Sequence, residues 1–450
     1  MFQRVAEACV KLVQKYLPDA LIFALILTVI ALIMGIGLTH QTPLAMTIHW
    51  WNGFWSLLAF AMQMTLVIVT GSTLAQAPIF KKGTKAIASL PKNSGQAVLL
   101  VSFVSAFACW VNWGFGLVIG ALLAREIAKQ VKNVDYPLLM ASAYSGLLVW
   151  HAGLSASIPL TIATSGLGTN FVEQLTGNIV PISETIFSPI GWITSWFLIL
   201  TLPIVNRAMH PKLDSKIKVV DPRLLVETEV IDNNKNEEPS FANRMENSVP
   251  LAMIIGLMGI VALIYYFTKK GGQLDLNVVN FIFLFASIIL HGTPKRFLVA
   301  IEDAIKATSG VVVQFPFYAG IMGMMIGKNV DGLSLASVIS QWFVSISTVK
   351  TFPLLTFWSA GIVNFFIPSG GGQWAVQGPI MIPAALELGA SPAKAAMAVA
   401  WGDAWTNMIQ PFWALPVLGI AGLGARDIMG YCIVDLLYSG IVISLAFLLL

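Results

Sequence analysis

Two ionisable side chains lie within long apolar segments of the sequence. His151 belongs to Trp150-His-Ala-Gly-Leu-Ser155, and Asp403 belongs to Trp401-Gly-Asp-Ala-Trp-Thr-Asn407. Ionisable groups are costly inside a membrane and are therefore candidates for function there. We predict that His151, Asp403 and Asn364 take part in ion coupling, by carrying a proton or by tuning a cation site. A core histidine with satisfied hydrogen bonds would explain His151 equally well.

Neutral polar side chains surround breaks in apolar segments that contain no Lys or Arg. A carboxylate bound there would have to be held by helix N-termini and hydroxyl groups. The predicted substrate-binding residues are Asn112, Gly114, Ser155, Ser157, Ser369, Gly370, Gly371, Thr406 and Asn407. A sodium ion, if one binds, is predicted near Asn112 and Ser155 and near Ser369 and Asn407.

Aromatic residues are concentrated around the same breaks. They would line a pocket for a short alkyl chain, although packing and interface roles are more common for such residues in membrane proteins. These residues are Trp110, Trp113, Phe365, Phe366, Trp374, Trp405 and Trp413.

The composition indicates that a membrane surrounds these segments. Of the 450 residues, 57% are hydrophobic and 11% are charged, whereas a soluble protein carries about 25% charged residues. The apolar segments are continuous, unlike the alternating strands of a transmembrane barrel. The predicted fold class is an all-α polytopic membrane protein, in which Asp435 lines the bundle or reaches toward the membrane surface. Segments long enough to span the bilayer occur at residues 20–38, 57–74, 251–267 and 433–450.

Basic residues indicate the orientation of the chain. Most Lys and Arg residues lie in alternate connections, whereas residues 40–53 and 168–187 contain none. The positive-inside rule then places the N-terminus in the cytoplasm, with residues 1–17 forming a retained amphipathic helix. The net charge of +4 follows the loops and gives no sign of a nucleic-acid partner. Five lysines disagree with this orientation: Lys269, Lys270, Lys328, Lys350 and Lys394.

An internal duplication is indicated by polar and helix-breaking residues that recur at a nearly constant separation. At 251 residues, His40 matches His291 and Gln63 matches Gln314, and at 252 residues Asn112 matches Asn364 and Pro159 matches Pro411. An extra helix at 249–268 would invert the second copy, as in many secondary transporters. The predicted domains are repeats at 18–210 and 274–450, separated by a cytoplasmic linker at 211–248.

Each predicted repeat contains a re-entrant hairpin and a broken transmembrane helix. The hairpins are predicted at 95–132 and 351–388, with Gly114 and Gly116 in the first turn and three glycines at 370–372 unable to sustain a helix. The broken helices are predicted at 138–164 and 395–418. There Pro159 and Pro411 would free carbonyl groups near Ser155 and Asn407.

Three of these motifs resemble the bacterial short-chain fatty acid transporter (AtoE) family, within the ion transporter superfamily. They are Trp150–Ser155, Trp401–Asn407 and Pro368-Ser-Gly-Gly-Gly-Gln373. The resemblance implies two inverted repeats, an elevator-type architecture and a homodimer in the inner membrane. It also implies that the substrates are acetoacetate, butyrate and similar small monocarboxylates. Sodium-coupled relatives carry Ser-Asn-Thr at the hairpin tips, and this sequence does not, so the coupling ion stays open between Na⁺ and H⁺.

Other functions remain as alternatives. A cation/proton antiporter or another organic-anion carrier would share the architecture, and a channel would share the repeats and hairpins. An intramembrane enzyme is disfavoured, because the sequence has neither a His-Glu-x-x-His zinc motif nor a Gly-x-Ser-x-Gly nucleophile motif. The sequence also lacks a phosphate-binding loop. We therefore predict a transporter that is not an enzyme and needs no cofactor.

Overall fold

The structure is a computed structural model, which describes residues 20–56, 58–166, 170–211, 217–220, 240–269, 276–364 and 370–450. Most of these residues are helical. The predicted N-terminal helix at 1–17, most of the predicted linker, and Phe365, Phe366 and Ser369 lie outside the described residues.

The first half of the chain forms helices joined by short connections. One 3-10 segment, Ser145–Ala152, directly continues α7. The α-helices are α1 (Ala20–Thr39), α2 (Pro43–Phe54), α3 (Leu58–Ala75), α4 (Pro78–Ala88), α5 (Ser94–Val111), α6 (Trp113–Gln130), α7 (Tyr136–Tyr144), α8 (Ser157–Ile162), α9 (Phe171–Thr176) and α10 (Pro189–Met209).

The second half begins with a short helix, α11 (Phe241–Glu246), and the long helix α12 (Val249–Lys269). A 3-10 turn, Asn407–Ile409, follows α19. The remaining α-helices are α13 (Leu276–His291), α14 (Pro294–Ile305), α15 (Ser309–Ile326), α16 (Leu335–Ser345), α17 (Phe352–Asn364), α18 (Gly370–Leu388), α19 (Pro392–Thr406), α20 (Pro411–Ala421) and α21 (Ala425–Leu449).

Several helical stretches are long and apolar enough to cross a membrane. Five such spans occur in the described residues: α5, the composite stretch Tyr136–Ile162, α10, α12 and α21. In α12 only Ala252, Gly256 and Gly259 are buried, so most of its apolar side chains face outward, as expected for a helix in lipid. These features confirm the prediction of a helical membrane protein.

Polar caps followed by proline start helices at corresponding positions of the two halves. Thr42 caps α2 and Thr293 caps α14, and each accepts a hydrogen bond from a first-turn N–H. Proline follows each threonine, where its fixed φ suits the first helical position. Positive φ occurs shortly before each cap, at 52° in His40, two residues before Thr42, and at 76° in Gly292, one residue before Thr293. The lengths also correspond, with 12 residues in both α2 and α14 and 18 in both α3 and α15.

The glycine-rich segments are more helical than the sequence predicted. Gly114 and Gly116 lie in the first turns of α6, and Gly370 and Gly371 begin α18. The prediction that consecutive glycines prevent a helix is therefore wrong here. The first N–H groups of a helix have no partner within the helix, so weak helix formers are tolerated at that end.

The prolines of the predicted broken helices also begin helices. Pro159 and Pro411 lie in the first turns of α8 and α20, where a missing N–H removes no hydrogen bond. The carbonyl of Asn407 accepts hydrogen bonds from the Tyr144 hydroxyl and from the N–H of Gln410. The sequence had predicted free carbonyl groups near Asn407, but the carbonyl of Asn407 itself is not free.

Part of the predicted linker is held against α7. The N–H of Tyr136 donates to the Lys218 carbonyl over 2.9 Å, and the N–H of Lys218 donates to Asp135 Oδ2 over 3.1 Å. The Tyr431 hydroxyl of α21 donates to the other oxygen of Asp135 over 3.2 Å. The described residues 217–220 are thus fixed to the beginning of α7.

Candidate substrate and ion site

The junction between α5 and α6 is a single residue, Asn112. Its backbone is extended, and its side-chain Oδ1 accepts the N–H of Phe115 over 2.9 Å, so Asn112 caps α6. The N–H of Trp113 donates to Ser155 Oγ over 3.1 Å. These two hydrogen bonds fix the junction against the segment that follows the 3-10 stretch.

The same junction is held by the chain around Gly153. The N–H of Leu154 donates to the Trp110 carbonyl over 2.8 Å, and the Trp110 indole donates to the Ala152 carbonyl over 3.1 Å. A Cβ at Gly153 would collide with the Trp110 carbonyl. Glycine is therefore required here, because the two backbones approach more closely than any side chain allows.

His151 and Asp403, which are 252 residues apart in the chain, are bonded to each other. His151 Nδ1 lies 2.9 Å from Asp403 Oδ2, and both side chains are fully buried. The N–H of Ile158 donates to His151 Nε2 over 3.1 Å, so Nε2 is the unprotonated nitrogen and Nδ1–H donates to Asp403. A buried carboxylate is thereby stabilised by a neutral imidazole, which can accept a proton only by rearranging these bonds.

Ser157 and Gly370 complete the surroundings of His151. Ser157 Oγ lies 2.8 Å from His151 Nε2. A Cβ at Gly370 would lie 2.5 Å from both His151 Cε1 and Ser157 Oγ. The beginning of α18 therefore packs directly on the imidazole, so the site combines the start of α8 with the start of α18.

Asn364 is the centre of a hydrogen-bond network at the end of α17. Its Nδ2, which carries two hydrogens, lies within hydrogen-bond distance of three acceptors: the Asp403 carbonyl (3.0 Å), Thr406 Oγ1 (3.0 Å) and Asn407 Oδ1 (2.8 Å). The Gln410 amide in turn donates to the Asn364 carbonyl over 3.0 Å. This network connects the end of α17 to the end of α19.

Asp403, Asn364 and Asn407 each have one buried polar atom without a hydrogen-bond partner among the described residues. These atoms are Asp403 Oδ1, Asn364 Oδ1 and Asn407 Nδ2. Buried polar atoms nearly always have partners, and an unpaired one indicates an ion, a water or a ligand. Two acceptors and one donor around Asp403 suit a cation or a proton together with a carboxylate.

Aromatic rings cover one side of His151. Trp150 stacks on the imidazole, with ring centroids 4.0 Å apart and an interplanar angle of 15°. Trp113 packs edge-on against Trp150 and Trp413, with centroid distances of 5.8 and 5.4 Å. An apolar wall formed by three elements thus lies beside the ionisable pair.

A family model described as short-chain fatty acid transporter matches residues 1–450, which is the whole chain. This chain belongs to the short-chain fatty acid transporter family. The prediction made from the three sequence motifs is therefore confirmed. Because the family consists of transporters, the prediction that the chain is not an enzyme is confirmed as well.

Two relatives assigned as short-chain fatty acid transporters are similar to this transporter along nearly their whole length. The relative from Escherichia coli (strain K12) is 45% identical over 442 residues, covering 98% of each chain. The relative from Haemophilus influenzae is 44% identical over 442 residues, again covering 98% of each chain.

The fold of the transporter is similar to that of a solved membrane protein. The crystal structure of the Alcanivorax borkumensis YdaH transporter, described as having an unusual topology, matches with a TM-score of 0.50 and 16% sequence identity. The match covers 96% of this chain and 97% of the other. At this identity the likeness concerns the fold alone.

The structure of the transporter brings most of the predicted site residues together. His151 contacts Asp403, Ser157 and Gly370; Asn364, Thr406 and Asn407 form the adjoining network, and Asn112 and Ser155 hold the first junction. Gly114 lies instead against Gly71 of α3, and a Cβ at Gly371 would meet nothing within 4 Å. Ser369 lies outside the described residues.

Only some of the aromatic residues that were predicted to line a pocket of the transporter lie beside the candidate site. Trp113 and Trp413 lie beside Trp150, which sequence reasoning missed. Trp110 packs on Trp192 and Trp196 instead, and Trp405 packs on Phe357. Trp374 packs on Phe171.

Four further polar residues of the transporter were missed by sequence reasoning. They are Tyr144, Gln373, Gln377 and Gln410, all fully buried. The Gln373 amide donates to the Ala360 carbonyl over 2.8 Å and to Gln377 Oε1 over 2.7 Å, which ties α18 to α17. The three glutamines could have been identified from their position in apolar segments of the sequence, because a buried polar group needs a hydrogen-bond partner.

Proposed function

We propose that this transporter takes up acetoacetate, butyrate and similar small monocarboxylates across the bacterial inner membrane, coupled to an ion. The observation that carries the proposal is the meeting of His151 and Asp403 with the beginnings of α8 and α18. The helix N-termini supply N–H groups for a carboxylate, the tryptophan wall suits a short alkyl chain, and the buried pair can carry the coupling ion.

The proton is the coupling ion that the geometry favours. Asp403 is bonded to His151 Nδ1, and both side chains are fully buried. Asp403 Oδ1 has no partner among the described residues, so it can bind a proton without breaking the pair. A sodium ion at the same oxygen is the competing assignment.

The test is uptake of labelled butyrate by purified transporter in proteoliposomes under separately imposed gradients. Accumulation under an inward proton gradient with no sodium present is the expected result. Accumulation that requires sodium would replace the proton by sodium as the coupling ion. Absence of accumulation under either gradient, in vesicles whose protein is folded, would contradict coupled uptake itself.

A cation/proton antiporter is the second candidate, because an unpaired carboxylate oxygen next to an imidazole would also serve that exchange. The same vesicles distinguish the two functions when a pH-sensitive dye is enclosed. Proton movement driven by a sodium or potassium gradient in the absence of any monocarboxylate would favour the antiporter. Proton movement that requires butyrate would favour the carrier.

We further propose that the chain consists of two inverted repeats, 18–210 and 274–450, which form an elevator-type carrier. In this proposal the carrier assembles as a homodimer, and the N-terminus of each chain lies in the cytoplasm. The matching lengths and caps of α2 and α14 support the duplication. The positions of Asn112 and Asn364 also support it. Asn112 lies at the end of α5, before α6, and Asn364 lies at the end of α17, before α18. In this arrangement α5 with α6, and α17 with α18, are the re-entrant hairpins, while 138–164 and 395–418 are the broken helices.

A further inference from the structure

A second buried acid lies on elements other than those that hold His151 and Asp403. Asp435 is near the middle of α21, and its side chain is fully buried. It therefore does not reach toward the membrane surface, which was one of the two explanations offered by the sequence. It faces the interior of the bundle, where α10, α5 and the 3-10 segment meet α21.

The partner of Asp435 is the side-chain amide of Asn206 on α10. One end of this amide lies 3.0 and 3.2 Å from the two carboxylate oxygens of Asp435. The other end lies 2.9 Å from each of the hydroxyls of Ser102 and Ser145. Asn206, Ser102 and Ser145 are all fully buried, so the four side chains form a buried polar cluster, in which the Ser145 hydroxyl also lies 2.9 Å from the Ser142 carbonyl.

Two orientations of the Asn206 amide fit this cluster, and each matches one protonation state of Asp435. With Nδ2 toward Asp435, the amide donates to an ionised carboxylate and Oδ1 accepts from the two serine hydroxyls. With Nδ2 toward Ser102 and Ser145, Oδ1 faces the carboxyl oxygens. Two acceptors at that distance require a proton between them, which a protonated carboxyl group supplies.

No positive charge compensates Asp435 within the described part of the chain. The titratable groups that face it are neutral: the Cys432 thiol on α21 and, beyond it, the Tyr144 hydroxyl on α7. Arg207, next to Asn206, lies against Gly95, and Asp403 is bonded to His151. An acid buried in a membrane with neutral partners is far more stable as the uncharged form.

We propose that Asp435, Asn206, Ser102 and Ser145 form a proton-binding site in the membrane interior, separate from the candidate substrate site. The bound proton sits on the Asp435 carboxyl group and is donated to Asn206 Oδ1. Loss of the proton to water turns the amide, so that Nδ2 stabilises the carboxylate. Ser145 is the first residue of the 3-10 segment that carries His151, so the turn of the amide alters the hydrogen bonding of that segment.

Infrared spectroscopy of the reconstituted full-length chain tests the proposal, with the spectrum of each variant compared with that of the natural chain. The measurement needs neither substrate nor an ion gradient. At neutral pH we expect the carbonyl stretch of a protonated carboxylic acid, absent in Asp435→Asn and retained in Asp303→Asn. Asp303 is a matched control, because its side chain is 61% exposed and lies on α14. The Asn206→Ala variant should retain the band at a shifted frequency, since the carboxyl group loses its acceptor.

The proposal also predicts that Asp435→Asn keeps the thermal unfolding temperature of the natural chain at neutral pH, because the amide replaces an uncharged acid of the same shape. An unchanged carboxyl band in Asp435→Asn would overturn the proposal. So would sodium-dependent stabilisation of the natural chain that Asp435→Asn abolishes, because the site would then bind sodium. If Asp435→Asn does not fold, an unshifted band in Asn206→Ala would overturn it instead. None of these readouts depends on uptake, so they stand apart from a failure of the proposed function.

Discussion

Single residues determine how the ionisable pair behaves. Replacing Asp403 by Asn removes the charge and keeps the shape, so the Nδ1–H of His151 donates to a neutral amide oxygen instead of a charged carboxylate. A hydrogen bond to a charged group contributes about 1.5–3 kcal/mol, and we expect proton-driven accumulation of butyrate to fall by roughly 10- to 100-fold.

Exchange of labelled for unlabelled butyrate across the vesicle should survive better than accumulation in Asp403→Asn, since exchange needs no net proton movement. Asp303→Asn, at an exposed acid on α14, should behave like the natural chain. Proton-driven accumulation at the natural rate in Asp403→Asn would show that this carboxylate does not couple the ion.

The contact of Gly370 with His151 and Ser157 can be tested by adding a single methyl group. In Gly370→Ala the new methyl group would lie 2.5 Å from both His151 and Ser157, so α18 must move away. Overpacking of this kind destabilises by about 1–3 kcal/mol, and butyrate uptake should decrease clearly. The control is Gly83→Ala on α4, where a Cβ meets nothing within 4 Å. Equal uptake by the two variants would argue against a functional contact.

At the scale of elements, the same cap chemistry occurs at the beginning of α5 and at the beginning of α6. Asn93 caps α5 and Asn112 caps α6, each by accepting a first-turn N–H over 2.9 Å. Replacement of either by Ala should lower stability by about 1 kcal/mol. We expect only Asn112→Ala to reduce butyrate uptake as well, because Asn112 lies at the junction next to Ser155.

Thermal unfolding in detergent measures the first effect, and uptake per folded protein measures the second. Loss of uptake in both variants, in proportion to lost stability, would mean that Asn112 has a structural role only.

Element boundaries were predictable from the sequence where local chemistry sets them. Thr42 with Pro43 and Thr293 with Pro294 start helices because a side-chain oxygen caps the first turn and proline suits the next position. The same reasoning failed at Gly370–Gly372, since helix propensity takes no account of what the helix packs against. There the absence of side chains lets α18 approach His151, which a residue with a Cβ would prevent.

At the scale of the whole molecule, the proposed hairpin of α5 and α6 predicts that its two ends lie on the same side of the membrane. Lys92, before α5, and Lys132, after α6, are both exposed. If α5 and α6 enter and leave the membrane on one side, single cysteines at the two positions should both react with a membrane-impermeant thiol reagent from the cytoplasm. A simple span would place the two positions on opposite sides.

The labelling should be done in a chain whose Cys9 is replaced by Ser, since Cys109 and Cys432 are buried. Labelling of one position only from the cytoplasm and of the other only from outside would contradict the hairpin. Cysteines replacing Asp303 and Lys306, on or just after the same helix, give the expected result for neighbouring positions on one side.

The sequence by itself determined the membrane class and the family, and it singled out His151 and Asp403. These properties depend on composition and on neighbours a few residues away, which a sequence displays directly. Only the tertiary structure decided that His151 bonds Asp403, that Trp150 stacks on the imidazole and that Asp435 is paired with Asn206. Such contacts join residues far apart in the chain, and they depend on how closely whole helices pack.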